Sequence, residues 1–293
     1  MRRLDMENPF GAPVYSKAVV SSTMDEARLL AEDGAPHGTV ITAGFQEKGR
    51  GSRNRSWASG GGNLFFTLLL RYQGFDSVPP ALTLRTGLAV ALAVEDAAAE
   101  SAGKSSAAAE SSAAAESSGE SSAAGLQGPV LVKWPNDVMI PLGGAYKKTA
   151  GILAEGDGRV MFIGVGVNVG QIDFPPELRD RAGSLALAVG SLPPEAPVMM
   201  LKKILARLHE EIERPESLSS WRRRLTGRLY KKGEPVRFTS GAAGKLQTAE
   251  GVLSGIGPSG EIIIAAGSPP RESGFPGPEQ SFVSGELEFT LEG

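Results

Sequence analysis

Residues 132–170, VKWPNDVMIPLGGAYKKTAGILAEGDGRVMFIGVGVNVG, decide the fold. The runs PVLVKWP (129–135), TAGILAEG (149–156) and RVMFIGVGVNVG (159–170) are apolar, rich in β-branched residues and short. They read as strands of a sheet buried on at least one face. A turn region broken by Pro135 separates the first two. Gly164 and Gly166 alternate with valines in the third run, which leaves one side of that strand bare and implies that something packs against its backbone.

Working outward, the upstream hundred residues read as mixed helix and strand. Thr23 is a cap candidate for a helix over MDEARLLAED, with Met24, Ala27, Leu30 and Ala31 on one face. Strands are expected at 38–46 and 63–71, and a helix at 81–100 along the stripe Leu84, Leu88, Ala91 and Leu92. From Ser101 to Gly125 the composition falls to Ser, Ala, Glu and Gly, with SSAAAE repeated in tandem. Such a segment has little to bury against its ordering entropy, so it reads as a solvated insertion without catalytic role. The alternative is a fraying extension of the preceding helix, which alanine permits. Downstream, helices are expected at 176–189 and 196–213. Past residue 228 the short strands EPVRFTS, LQTAEGVLSGI, GEIIIAAG and QSFVSGELEF argue a small antiparallel barrel. A chain of 293 residues fits about two domains. The expected organisation is a mixed α/β (α+β) domain over 1–227, carrying the 101–125 insertion, and a small barrel over 228–293.

Composition narrows the chemistry. Lys plus Arg number 30 and Asp plus Glu 33, a formal charge of −3, far from the basic excess that nucleic-acid binding favours. With no cysteine, disulfides, thiolate nucleophiles and Cys-ligated metals are excluded; with only His37 and His209, so is a His-rich metal centre. No unbroken apolar run approaches the ~18 residues of a membrane span, and the first residues lack the apolar stretch of a secretory signal. The expectation is a cytoplasmic protein with no membrane partner.

Three segments carry candidate chemistry. QEKGRGSRNRSWASGGGNL, residues 46–64, crowds glycines with Lys48, Arg50, Arg53 and Arg55 in one strand-to-strand loop. Backbone N–H groups bared by glycine and forked guanidinium donors both suit an anion, although a solvated basic loop has the same composition. VKWPNDVMI sets Lys133, Asn136 and Asp137 around a strand end. Asp137 could carry magnesium and Lys133 a phosphate, or the segment is simply a Pro-Asn-Asp turn. Lys147 and Lys148 precede a buried-looking strand, where a lysine either aims into a pocket or guards a sheet edge. Asn168 offers an amide able to donate and accept at a planar ring edge.

The order of these motifs says more than any one of them. S-T-M at 22–24, the arginine–glycine loop from Gln46, K-W-P-N-D from Lys133, K-T-A-G-I-L-x-E from Lys148 and G-V-G-V-N-V from Gly164 together resemble the biotin–protein ligases. GIGPSGEIII and VSGELEF look like that family's small C-terminal SH3-like domain. The resemblance implies a biotin–[acetyl-CoA-carboxylase] ligase: biotin and ATP form biotinyl-5′-AMP, and a lysine of a biotin carboxyl carrier protein then takes the biotinyl group. It implies that Ser22, Thr23, Met24 and Gln46 bind the ureido ring. Gly49, Gly51, Ser52, Gly151, Leu153 and Gly164 would surround the rest of biotin. Arg50 would hold the loop over the ligand and stabilise phosphate charge, while Lys148 would stand between the biotin carboxylate and the α-phosphate. Lys133 and Asp137 would handle triphosphate and Mg2+, with Asn136, Arg53, Arg55 and Trp57 beside the adenylate and Asn168 at the adenine edge.

Two positions depart from the family pattern. Ser52 stands where a second loop arginine is common, which shifts retention of the adenylate toward Arg53 or Arg55. Met24 stands where asparagine is common, which points to a backbone contact there. Only 21 residues precede Ser22, too few for the winged helix-turn-helix that some members carry, so the resemblance implies a form that does not bind DNA. Family members occur as monomers and as homodimers, and the sequence does not choose. A lipoate–protein ligase would share the fold without K-W-P-N-D and the arginine-rich loop; a non-enzymatic biotin-binding module would tolerate loss of Lys148, Lys133 or Asp137.

Overall fold

The computed structural model describes residues 1–52, 55–111, 125–240, 247–266, 279–283 and 285–289. Eight strands build the main sheet: β1 (Arg2–Arg3), β2 (Val14–Val20), β3 (Val40–Gln46), β4 (Leu64–Arg71), β5 (Leu131–Lys133), β6 (Asp137–Leu142), β7 (Ala145–Gly156) and β8 (Val160–Val167). Their spatial order is β1-β2-β3-β4-β8-β7-β6-β5. Only β2 and β3 run parallel; the other neighbours are antiparallel.

Alternation along the strands separates two faces. Leu64, Phe66, Leu68 and Leu70 of β4 turn to the larger core, beneath α2 (Leu82–Ser111) and α4 (Ala196–Glu213). Leu69 turns the other way and packs with Met24, Ala27 and Leu30 of α1 (Thr23–Glu32). Helix α2 is long and apolar enough by composition to cross a bilayer, but 67% of its most apolar window is buried inside the molecule. Its stretch from Leu88 to Val94 is nearly all inaccessible because sheet and α4 cover it from two sides.

Past α5 (Pro215–Gly227) come β9 (Pro235–Ser240), β10 (Gln247–Ile256), β11 (Ile262–Ala265), β12 (Glu279–Phe282) and β13 (Glu286–Phe289). They form an antiparallel sheet in the order β12-β11-β10-β9-β13. Phe238, Leu253, Ile262 and Ile264 of this sheet belong to the same buried cluster as Trp134 and α2.

Several expectations need correction. Ser22, not Thr23, is the N-cap of α1: its Oγ accepts from the Met24 N–H and Thr23 is the first helical residue. Helix α2 continues to Ser111, so the first part of the Ser/Ala/Glu segment takes the helical alternative; residues 112–124 lie outside those described. The helix expected at 176–189 is confined to α3 (Leu185–Val189). Backbone groups that a longer helix would need serve β7 instead: Lys148 N–H donates to Arg181 O at 2.7 Å and Gly183 N–H to Lys148 O at 2.9 Å. The supposed turn region after Pro135 holds a whole strand, β6, which returns into β7 through Gly143 and Gly144, both at positive φ. β1, β2 and α5 were not anticipated.

Candidate active site

The site lies on the α1 face, where β7 and β8 carry glycine. Gly151, Gly164 and Gly166 leave a recess over bare backbone, and two side chains lie directly on it. A Cβ at Gly164 would stand 2.9 Å from Met24 Sδ, and Cβ atoms at Gly151 and Gly166 would stand 2.7 Å and 2.6 Å from the Trp57 indole. The alternating glycines of β8 thus have their physical reason: close approach from above.

Two cavities meet there. The smaller, about 120 Å³, is lined by Ser22, Thr23, Met24 and Gln46 at one end and by Gly151, Leu153 and Gly164 along the sheet. Arg50, Gly51, Ser52, Arg55 and Trp57 cover it, and Asn136 and Lys148 stand at the side. The larger, about 450 Å³, is lined by Lys133, Asp137, Lys148 and Asn168 together with Asp180 and Arg181. Arg55, Ser56, Trp57 and Lys148 border both. The structure therefore gathers nearly every candidate residue into one continuous site.

The exceptions have structural reasons. Gly49 does not line the slot: a Cβ there would fall 2.6 Å from the Trp57 carbonyl, so its glycine serves the hairpin that closes the loop. Trp57 N–H donates to Gly49 O at 2.9 Å and Gly51 N–H to Arg55 O at 2.7 Å. Arg53 lies outside the described residues. Asn136 reaches the slot, but its Nδ2 is committed to Ile152 O at 2.9 Å, tying the K-W-P-N-D turn to β7. Met24 contributes its thioether, filling space over Gly164, while its backbone N–H is donated to Ser22 Oγ. The loop arginine Arg50 is ion-paired with Asp25 in the first turn of α1.

The electrostatics sort the two cavities. Arg55, Lys133, Lys148 and Arg181 outweigh Asp137 and Asp180 around the larger one, which suits a polyanion. Lys148 Nζ sits 2.6 Å from Asp137 Oδ1 and 5.2 Å from the centre of a Trp57 ring, at the junction. A bulge puts it there: Val138 pairs with Ala150 but Met139 with Lys148, so Thr149 is an extra residue in β7. Burial depresses the Lys133 ammonium; Asp137 opposes that shift, and Lys148, Arg55 and Lys231 add to it. Asn168 donates through Nδ2 to Gly183 O at 3.1 Å, which leaves its carbonyl oxygen to accept from a ligand. Asn63 and Gln171, neither anticipated, hold the end of the loop: Asn63 Oδ1 accepts from Val169 N–H at 3.0 Å and its Nδ2 donates to Gln171 Oε1 at 2.7 Å.

A family model described as "Biotin/lipoate A/B protein ligase family" matches residues 16–171, more than half of the chain and the whole lining of the smaller cavity. The chain belongs to the biotin/lipoate A/B protein ligase family. Among curated proteins, the bifunctional ligase/repressor BirA of Bacillus subtilis (strain 168) is 37% identical over 180 residues, 59% of this chain and 46% of that protein. Its counterpart from Bacillus spizizenii is 36% identical over 188 residues, 61% of this chain and 48% of that protein. The chain therefore spans about half the length of these curated relatives. Among solved structures of the family, the biotin protein ligase from Aquifex aeolicus in complex with biotin and ATP superposes with a TM-score of 0.66 at 25% identity. That match covers 95% of this chain and 99% of that one, so the small terminal sheet is included.

Proposed function

We propose that this chain is an ATP-dependent biotin–protein ligase that forms biotinyl-5′-AMP and passes the biotinyl group to a lysine of a biotin carboxyl carrier domain. The observation that carries the reading is the meeting of two unlike cavities at Lys148: a glycine-floored slot with amide and hydroxyl groups at its closed end, and a larger cationic chamber. A neutral ureido ring on an apolar body fits the first, and a nucleoside triphosphate the second.

In the first step a biotin carboxylate oxygen attacks the α-phosphorus of ATP, the bond to the β-phosphate oxygen breaks, and pyrophosphate leaves. In the second the carrier's lysine amine attacks the anhydride carbonyl, loses a proton, and AMP departs. Ser22, Thr23 and Gln46 orient the ureido ring, while Met24, Gly151, Leu153 and Gly164 enclose the body of the ligand. Lys148 faces both carboxylate and α-phosphate and offsets the approach of two anions. Arg50 and Arg55 close the loop over the adenylate, Trp57 separates the two halves, and Asn168 accepts from the adenine edge. Lys133 takes the triphosphate. Asp137 and Asp180 are carboxylates of the chamber, and one or two carboxylates plus phosphate oxygens is a usual donor set for Mg2+. Bound there, magnesium would neutralise the pyrophosphate. We place the reaction in the cytoplasm and, given the net charge of −3, do not propose DNA as a ligand.

The test is incubation with biotin, Mg-ATP and a carrier domain, followed by intact-mass measurement of the carrier. A gain of one biotinyl group, dependent on ATP, is expected. An unmodified carrier, or one that gains a lipoyl group when lipoate replaces biotin, contradicts the reading.

A further inference from the structure

Three side chains at the closed end of the slot form a chain whose proton positions follow from chemistry. The Thr23 N–H, an orphan donor at the start of α1, donates to Gln46 Oε1 at 2.9 Å. That atom must therefore be the amide oxygen, with Nε2 turned the other way. Thr23 Oγ1 stands 3.1 Å from the same oxygen. An amide oxygen carries no proton, so the Thr23 hydroxyl donates. Thr67 Oγ1 lies 2.9 Å from Thr23 Oγ1, and because Thr23 has spent its one proton, Thr67 is the donor. Thr67 is wholly inaccessible, pairs with Gly164 across β4 and β8, and is not among the residues that line the slot.

We propose that Thr67 is a positioning residue that fixes Thr23 Oγ1 as a hydrogen-bond acceptor for a ring N–H of the ligand, and thereby sets the preference of the slot for a cyclic urea. The proposal rests on the biotin reading above. A threonine in a helix divides between two rotamers, and the bond from Thr67 holds the one that aims Oγ1 at the slot. With one lone pair taken by Thr67, one remains. Gln46 Nε2 keeps two donors, and Ser22 Oγ, which accepts from Met24 N–H at 3.3 Å, keeps its proton to donate. The closed end thus offers donors, Gln46 Nε2 and the Ser22 hydroxyl, to a ring carbonyl and one acceptor, Thr23 Oγ1, to an N–H beside it, which matches one side of a cyclic urea. A ligand lacking the N–H leaves a buried acceptor unmet, which a site of this kind penalises.

The test uses the full chain as wild type, Thr67→Val and Thr67→Ser. Calorimetry measures the Kd of biotin and of its two mono-N-methyl ureido analogues, and pyrophosphate–ATP exchange gives kcat and KM for biotin. Thr67→Val should raise the Kd and KM for biotin about five- to tenfold, as loss of one buried hydrogen bond does, with kcat within about twofold. It should narrow the discrimination against one of the two analogues by the same factor, and Thr67→Ser should restore both. If the valine variant does not fold, Thr67→Ala removes the same donor and reads the same ratio. An unchanged Kd for biotin, or an equal rise for biotin and both analogues, overturns the role of Thr67 while the biotin reading stands. Absence of biotin binding and of biotin-dependent exchange in the wild type overturns the biotin reading and this proposal with it.

Discussion

Lys133 and Lys148 stand in one chamber, and burial has lowered the pKa of the first. A triphosphate beside Lys133 favours its charged form, so nucleotide binding above the lowered pKa takes up a proton. ATP affinity should therefore fall as pH rises through that value. Lys133→Arg, which keeps the charge at all accessible pH, should flatten the fall; calorimetry across the alkaline range checks it, and an identical fall in both proteins would show that another group titrates. Most of the slot was legible at this scale because side-chain chemistry is local: Ser22, Thr23, Gln46 and Lys148 were marked by motif and stand where ligands can reach them. Thr67 and Asn63 were not, since a threonine in a strand and an asparagine before one carry no signal until pairing brings Gly164 and Val169 beside them.

Among the elements, β7 and α2 depart furthest from their sequence reading. The Thr149 bulge aims Lys148 at the junction while Lys147 points away, its Nζ donating to Arg179 O at 2.7 Å. Alternation alone predicts opposite sides for the two lysines but does not reveal the bulge. Helix α2 was underestimated for a different reason: the Ser/Ala/Glu text lacks an apolar stripe, yet alanine lets a helix already nucleated on the core propagate. Its surroundings make an excision simple, because a Cβ at Gly125 would stand 3.8 Å from Ala102 Cβ. Replacing residues 103–124 by a two- or three-residue linker should leave exchange activity within a few-fold and the thermal midpoint nearly unchanged. A folded excision variant without activity would mean that the segment takes part in turnover.

At the scale of the whole molecule, the small terminal sheet is joined to the site through the K-W-P-N-D turn. Trp134 Nε1 donates to Gly260 O at 3.0 Å, and its ring meets Phe238 at 5.8 Å. β5 is extended by residues 228–230, with Val132 N–H donating to Arg228 O and Tyr230 N–H to Val132 O. The proposed ligand-binding residues all precede the small terminal sheet, Asp180 being the last of them, yet the turn that carries Asp137 is braced by residues from Arg228 onward. Trp134→Phe keeps the ring contact and removes the bond to Gly260, so it should cost about 1–2 kcal/mol and lower the Tm by roughly 2–6 °C with exchange retained; an unchanged Tm contradicts the brace. The central claim is that the two cavities work as one site because Lys148 stands between them. Two anions meeting in a partly desolvated pocket repel by several kcal/mol unless a cation is held there. The direct measurement is biotin-dependent pyrophosphate–ATP exchange in the wild type, Lys148→Gln and Lys147→Ala. Lys148→Gln should lose roughly 10²-fold or more, the loss expected for one pre-organised charge stabiliser, while Lys147→Ala stays within a few-fold of wild type. Exchange that survives in Lys148→Gln and disappears in Lys147→Ala would contradict the account.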